Sequence, residues 1–152
     1  MHSHMPAAAT IRRLSIADAA YIAGLVDGEG TITLTRQHAN EGRRLVVSIS
    51  NNERALLEFV LQRTGVGKIT SKRNYGVGHG RSFAYQVSSR QALELLRRIA
   101  PCLRGYKRLR AHLALRRYIA VTPRNGRYSP ILRRARTAFE ARFFAIVAQD
   151  RA

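Results

Sequence analysis

Acidic residues are scarce in this chain: 9 Asp and Glu stand against 27 Lys and Arg, a formal net charge of +18 over 152 residues. A domain this basic repels itself unless its charge faces a polyanion, so nucleic acid leads the partner classes. Arginine outnumbers lysine, and its planar fork suits phosphates and guanine edges, although a GC-rich genome would leave the same bias. Cysteine is nearly missing. The lone Cys102 cannot form an internal disulfide and lacks the companions of a thiolate zinc site, which points to a reducing interior and a small core residue. No apolar run approaches the ~20 residues that span a bilayer. The N-terminus lacks the basic-then-apolar order of a secretory signal, and the basic residues are dispersed instead of lining one helix face, so no membrane partner is expected.

What is present is a hydrophobic content of 45%, enough for one domain with its own core. The opening "MHSHMPAAAT" is small, polar and dotted with histidine. Residues 1–14 are therefore expected to be a disordered or tag-like N-terminus, and residues 15–152 a single domain. From Ser15 to Val26 the pattern is helical, with Ser15 as cap and Ile16, Ala19, Ala20, Ala23 and Val26 at helix spacing. "TITLTRQ" and "RRLVVSISN" alternate strictly and pair through "HANEG". "NERALLEFVLQRTG" is an amphipathic helix with Asn52 as cap and Gly65 as stop. A second hairpin follows, "GKITSKRN" and "RSFAYQVS" joined by "YGVGHG", then a helix over "RQALELLRRIA" that ends near Pro101. Two more helices are expected in "YKRLRAHLALRRYIAV" and "SPILRRARTAFEARFFAIVAQ", the second opened by Ser129 and Pro130.

The stretch "YIAGLVDGEGTITLTR" places two of the scarce acids, Asp27 and Glu29, beside glycines where the first helix gives way to a strand. Ala20, Gly24 and Gly28 recur every fourth residue, so they form a stripe of minimal side chains on one helix face. An interior glycine costs roughly 1 kcal/mol relative to alanine, which asks for a close helix contact in return. That contact is either with another helix of the chain or with a second copy across a two-fold axis. Glu29 faces the negative end of the helix dipole, an unfavourable place worth about 0.3–1 kcal/mol. Two such carboxylates brought together at a two-fold axis would need a divalent cation between them. Mg²⁺ fits, since it takes oxygen ligands and commonly uses one or two carboxylates plus phosphate oxygens.

"IAGLVDGEG", Ile22 to Gly30, resembles the LAGLIDADG motif of homing endonucleases, and the helix, hairpin, helix, hairpin, helix order resembles that family's core. The resemblance implies an α+β fold: an αββαββα core with an antiparallel DNA-binding sheet and additional C-terminal helices. Members with one motif are homodimers, so one motif implies a homodimer whose motif helices pack through Ala20, Gly24 and Gly28. It implies Glu29 as the catalytic acid and metal ligand, the Gly28 carbonyl as a further metal ligand, and Asp27 as a structural residue at the helix end. Mg²⁺, or another divalent cation such as Mn²⁺ or Ca²⁺, is the implied cofactor. A polar residue at the end of the second strand and a basic residue after the third helix complete the family's site. By position these are Asn51, with Asn52 as the alternative, and Lys107, for which a solvated surface lysine is the alternative.

A two-stranded ribbon fits the major groove of DNA, and the non-core strand faces then supply contacts. The candidates are Thr33, Thr35 and Gln37; Arg44, Ser48 and Ser50; Thr70 and Lys72; Ser82 and Gln86, with Arg36, Arg43, Arg73 and Arg81 near the hairpin tips. The expectation is a site-specific homing endonuclease that makes metal-dependent double-strand cuts in a long, imperfectly palindromic double-stranded DNA. It would act in the intracellular compartment holding the host genome, bacterial cytoplasm or organelle. No splicing-domain residues are visible, which favours a free-standing, intron-encoded protein. The rival is a non-cleaving maturase that binds intron RNA, or a DNA-binding regulator, on the same scaffold.

Overall fold

A computed structural model describes residues 10–39, 41–72 and 80–149. Helix α1 (Ile16–Glu29) leads into strands β1 (Gly30–Thr35) and β2 (Arg44–Asn51). Helix α2 (Arg54–Thr64), strands β3 (Lys68–Lys72) and β4 (Ser82–Ser88) and helix α3 (Ser89–Ile99) repeat the unit. A short 3-10 turn, Ala100–Cys102, precedes α4 (Tyr106–Arg117) and α5 (Pro130–Ala145). This is the α+β, αββαββα order with C-terminal helices that the sequence led us to expect.

The strands form one antiparallel sheet in the order β1-β2-β4-β3, so the two hairpins meet along β2 and β4. Because side chains alternate across a strand, the register sorts every residue to one of two faces. Ile32, Leu34, Leu45, Val47, Ile49, Tyr85 and Val87 are buried on the helix side, where they join Ile22 and Val26 of α1, Leu57 and Val60 of α2, and Leu93 and Leu96 of α3 in one core. All three helices lie on that face. The other face of the sheet carries mainly polar residues, with Val46 and Ala84 as buried apolar positions on it.

Local chemistry explains the boundaries. The Ser15 hydroxyl accepts the Asp18 N–H at 3.1 Å and starts α1. Gly30 ends it, because a Cβ there would lie 2.6 Å from the Val26 Cα and 2.8 Å from the Val26 carbonyl oxygen; only glycine lets the strand leave so close to the helix. Gly65 closes α2 in the left-handed conformation, φ 70°. Ser129 accepts the Leu132 N–H at 3.1 Å, with Pro130 as the first helical residue of α5.

Four expectations change. Ile16 does not face the core but is 89% exposed, because the buried stripe of α1 runs through Ala19, Ile22, Ala23 and Val26. The residue before α2 is Glu53 and not Asn52; the turn is held instead by Asn51, whose Oδ1 accepts the Glu53 N–H at 2.8 Å. β1 stops at Thr35, leaving Arg36 and Gln37 in the hairpin connection. The chain also packs earlier than Ser15: Ile11 is only 5% exposed, and Arg12 donates its N–H to the Thr64 carbonyl at 2.8 Å and its Nη1 to the Gln62 carbonyl at 3.0 Å. Residues 1–9 of the expected disordered segment, like Arg73 and most of the "YGVGHG" connection, lie outside the described residues.

Candidate nucleic-acid interface and metal-binding helix end

The register lays the open face out as rows. Thr31, Ser48, Gln86 and Lys68 run across all four strands; Thr33, Val46 and Ser88 form the next row, and Thr35 with Arg44 the outermost. Towards the other end lie Ser50, Ala84 and Thr70, then Ser82 and Lys72. Lys72 reaches over Ala84 to donate to the Ser50 hydroxyl at 3.3 Å, so the two hairpins share one surface. Thr33, Thr35, Arg44, Ser48, Ser50, Thr70, Lys72, Ser82 and Gln86 are thus brought together as the sequence suggested. Lys68 and Thr31 belong to the same rows and were absent from the candidate contacts. Lys68 shares the strand parity of Thr70 and Lys72, two residues before Thr70.

The hairpin-tip arginines are less alike. Arg36 is exposed and donates to the Ala39 carbonyl at 3.3 Å, Gln37 is exposed, and Arg81 is exposed just before β4. Arg43 is turned towards α5, 3.9 Å from the Glu140 carboxylate and stacked 5.0 Å from the Phe144 ring centre.

At the start of β1 the end of α1 meets this surface. Glu29 is exposed, and among the described residues no hydrogen bond or ion pair engages its carboxylate. Asp27 is differently used. Its carboxylate accepts the N–H groups of Arg104 at 2.8 Å and Gly105 at 3.3 Å, and Gly105 is the cap of α4. A carboxylate at a helix N-terminus is favoured by the dipole and meets otherwise orphaned donors, so Asp27 joins α4 to the end of α1. From the first turn of α4, Lys107 donates to the carbonyls of Val26 and Asp27, both at 2.9 Å. It is therefore a clamp on the last carbonyls of α1 and not a solvated surface lysine. Burial lowers its pKa from the ordinary lysine value, opposed by the Asp27 carboxylate.

Asn51 lies at the same end of the sheet as Glu29, because Gly30 pairs with Ile49. Its parity is that of Leu45, Val47 and Ile49, so it points to the helix side, with its Oδ1 committed to the turn. Asn52 is exposed.

The small-residue stripe faces outward. Ala20, Gly24 and Gly28 are exposed, and a Cβ built on Gly24 or Gly28 meets nothing within 4 Å. Among the described residues no helix of the same chain packs against this stripe. Beside it Tyr21, 45% exposed, stands edge-on to Phe59 with ring centres 5.2 Å apart.

Among the described residues no group of three or more His, Cys, Asp or Glu side chains is placed to hold a metal. The helix end offers one free carboxylate and backbone carbonyl oxygens per chain. That hard, sparse donor set fits a hydrated Mg²⁺-type cation completed by ligands from outside the chain, and does not fit a fully protein-ligated zinc site.

The fold and this site define an α+β domain whose first helix delivers a carboxylate to the edge of a polar, basic sheet face. A sequence profile described as LAGLIDADG-like domain matches residues 17–145, and the chain belongs to that family. Among solved structures it is similar to the homing endonuclease I-CvuI in complex with its target in the presence of 2 mM Ca, at 19% identity and a TM-score of 0.70, covering 89% of this chain and 85% of that one. The same enzyme in complex with the I-CreI target in 2 mM Mg, with the DNA not cleaved, also gives 19% identity and 0.70, covering 90% and 85%. The meganuclease I-SmaMI bound to uncleavable DNA is similar at 17% identity and 0.61, covering 88% of this chain and 46% of that one. No curated protein sequence matches the chain.

Proposed function

We propose that the chain is a homing-type DNA endonuclease that cuts both strands of a long pseudo-palindromic target as a homodimer with bound divalent metal. The observation that carries this reading is the placement of Glu29: a carboxylate without a partner among the described residues, the last residue of α1, at the head of the open sheet face in a chain with 9 acids against 27 Lys and Arg. A pure binder gains nothing from an acid facing a phosphate backbone. I-CvuI, whose fold this chain shares, has been crystallised on DNA with Ca and with Mg.

Each residue then has a role. The stripe of Ala20, Gly24 and Gly28 lets two α1 helices approach closely, which brings the two Glu29 carboxylates to the two-fold axis. Glu29 and the Gly28 carbonyl would hold Mg²⁺, which when bound supplies the positive charge that acidifies water and steadies the leaving oxygen. Lys107 and Asp27 fix the end of α1, so that Glu29 is presented from a rigid helix terminus. Asn51 orders the strand end beside it. Thr33, Thr35, Arg44, Ser48, Ser50, Lys68, Thr70, Lys72, Ser82 and Gln86 face the bases and backbone of the major groove.

The test is Glu29→Gln, which keeps size and hydrogen bonding but removes the charge. On a plasmid carrying the rejoined sequence that flanks the coding intron, with Mg²⁺, wild type should linearise the DNA, and the variant should bind it while cutting at least about 100-fold more slowly. Equal cutting by the variant overturns the role of Glu29. Tight binding without cutting by wild type favours the maturase or regulator on the same scaffold.

A further inference from the structure

The outermost row of the open face, Thr35 and Arg44, runs into a cleft of about 1050 Å³ between the β1–β2 hairpin and α5. Five strand steps at ~3.3 Å separate Gly30 from Thr35, so the cleft lies roughly 17 Å along the sheet from the Glu29 end. Its lining includes five arginines, Arg36, Arg43, Arg44, Arg133 and Arg136, the side chain of Tyr128, and two acids, Glu41 and Glu140. Glu140 is engaged by Arg43 and by Arg136, at 3.9 and 3.3 Å. Arg36, Arg44 and Arg133 have no carboxylate within ion-pair distance among the described residues.

Arg136 is 5% exposed and already met: it lies between the Tyr118 and Phe139 rings, 5.4 and 5.7 Å from their centres, pairs with Glu140 and donates Nη1 to the Thr122 hydroxyl at 2.7 Å, so it is a fixed wall of the cleft. One feature says that the remaining charge is held for an acceptor. Arg44 has its Nε buried without a hydrogen-bond partner. Buried donors are almost always met, and an unmet one on a cationic side chain calls for an anionic acceptor. Arginine forks match phosphate oxygens in particular.

We propose that this cleft is a phosphate site that grips one DNA phosphodiester at the outer end of each half-site, so that the C-terminal helices extend the footprint beyond the four strands. The inference rests on the sheet face lying against DNA, as in the function proposed above. A phosphate held there carries no sequence information. It fixes the register of the sheet on the duplex.

Two measurements test it. In the first, the Arg44 Nε–H is followed by heteronuclear NMR while inorganic phosphate replaces chloride at fixed ionic strength. A saturable shift, weakened several-fold by Arg133→Ala, is expected; no shift, or one unaffected by Arg133→Ala, overturns the site. In the second, binding of a random-sequence duplex is measured across salt concentrations for wild type, Arg36→Ala/Arg133→Ala, and the charge-matched control Arg63→Ala/Arg97→Ala on the helix side. All four positions are exposed, so the variants keep the core. The cleft variant should lower the slope of log K against log salt by about 0.9 per chain, one phosphate contact, and the control should not. Duplex binding with equal slopes in both variants overturns this site alone. Phosphate binding with no duplex binding at any salt overturns the nucleic-acid reading of the sheet, and the assignment of the cleft to DNA with it.

Discussion

Single residues at the end of α1 divide the labour between holding and exposing charge. Asp27 and Glu29 sit two positions apart, yet one is tied to α4 and the other is free. Asp27→Ala should therefore destabilise the chain by about 1 kcal/mol, as for loss of a helix N-cap, read as a lower urea midpoint. Asp27→Asn, which keeps an acceptor, should lose less; equal losses would mean that charge and not the two hydrogen bonds holds the junction. Tyr85 shows the same economy in the core. It is fully buried, donates to the Val66 carbonyl at 2.8 Å and lies 3.2 Å from the Thr64 hydroxyl. Burial raises its pKa from 10.0, the Thr64 bond opposing. The folded state thus prefers the neutral phenol, so stability is intact below pH 10.0 and falls as the pH rises towards the folded pKa. Tyr85→Phe should cost about 0.5–1.5 kcal/mol at neutral pH, the loss of one hydrogen bond, because the Thr64 hydroxyl lies 3.1 Å from the Val66 carbonyl and still serves it. The gap to wild type should narrow in urea titrations above pH 10.0, because the variant has no phenol to ionise. A constant gap would mean that the phenol is not held neutral by the fold.

At the scale of elements, what the sequence disclosed was periodicity. Strict alternation in "TITLT" and "RLVVSIS" sorted the faces of β1 and β2, and the spacing of Ala20, Gly24 and Gly28 marked a helix face that the structure leaves open. What stayed hidden depended on partners remote in sequence. Nothing near Lys107 says that it will meet carbonyls about 80 positions earlier, and nothing near Arg12 says that it will meet the Gln62 and Thr64 carbonyls at the end of α2. Asn51 and Asn52 both suit a helix cap, and only the turn geometry selects Asn51 for the Glu53 N–H. The open face of α1 yields a prediction with two signs. Since a Cβ at Gly24 meets nothing within 4 Å among the described residues, Gly24→Ala should stabilise the single folded chain by up to ~1 kcal/mol through helix propensity. The same methyl, placed where two α1 helices are proposed to touch, should weaken self-association. Urea unfolding at nanomolar concentration reads the first effect and light scattering at micromolar concentration the second. A variant that is both more stable and equally dimeric would remove α1 from the interface.

The whole molecule carries a net charge of +18 on a domain of modest size, and its ion pairs recover little of the repulsion. Among the described residues the acids Asp18, Glu58, Glu94 and Glu140 are the ones engaged with arginine, and all of these pairs except Arg136–Glu140 are substantially exposed. Exposed pairs contribute about 0–1 kcal/mol each and weaken in salt. Repulsion among the unmatched arginines also weakens in salt, and it is the larger sum because the cations are in threefold excess. The two effects have opposite signs, so salt decides between them. As the Debye length falls from about 30 Å at 0.01 M to about 8 Å at 0.15 M, the DNA-free chain should become more stable. A Tm that rises with sodium chloride over this range would place the chain's excess charge in the unfavourable column until a polyanion arrives. A Tm that falls would mean that local ion pairs outweigh it. Short duplex DNA should raise Tm further at 0.01 M than at 0.15 M, because each phosphate contact is strongest where salt is lowest, at about 0.9 in log–log slope per contact. Stabilisation by duplex that does not diminish with salt would mean that the bound surface is not the basic face.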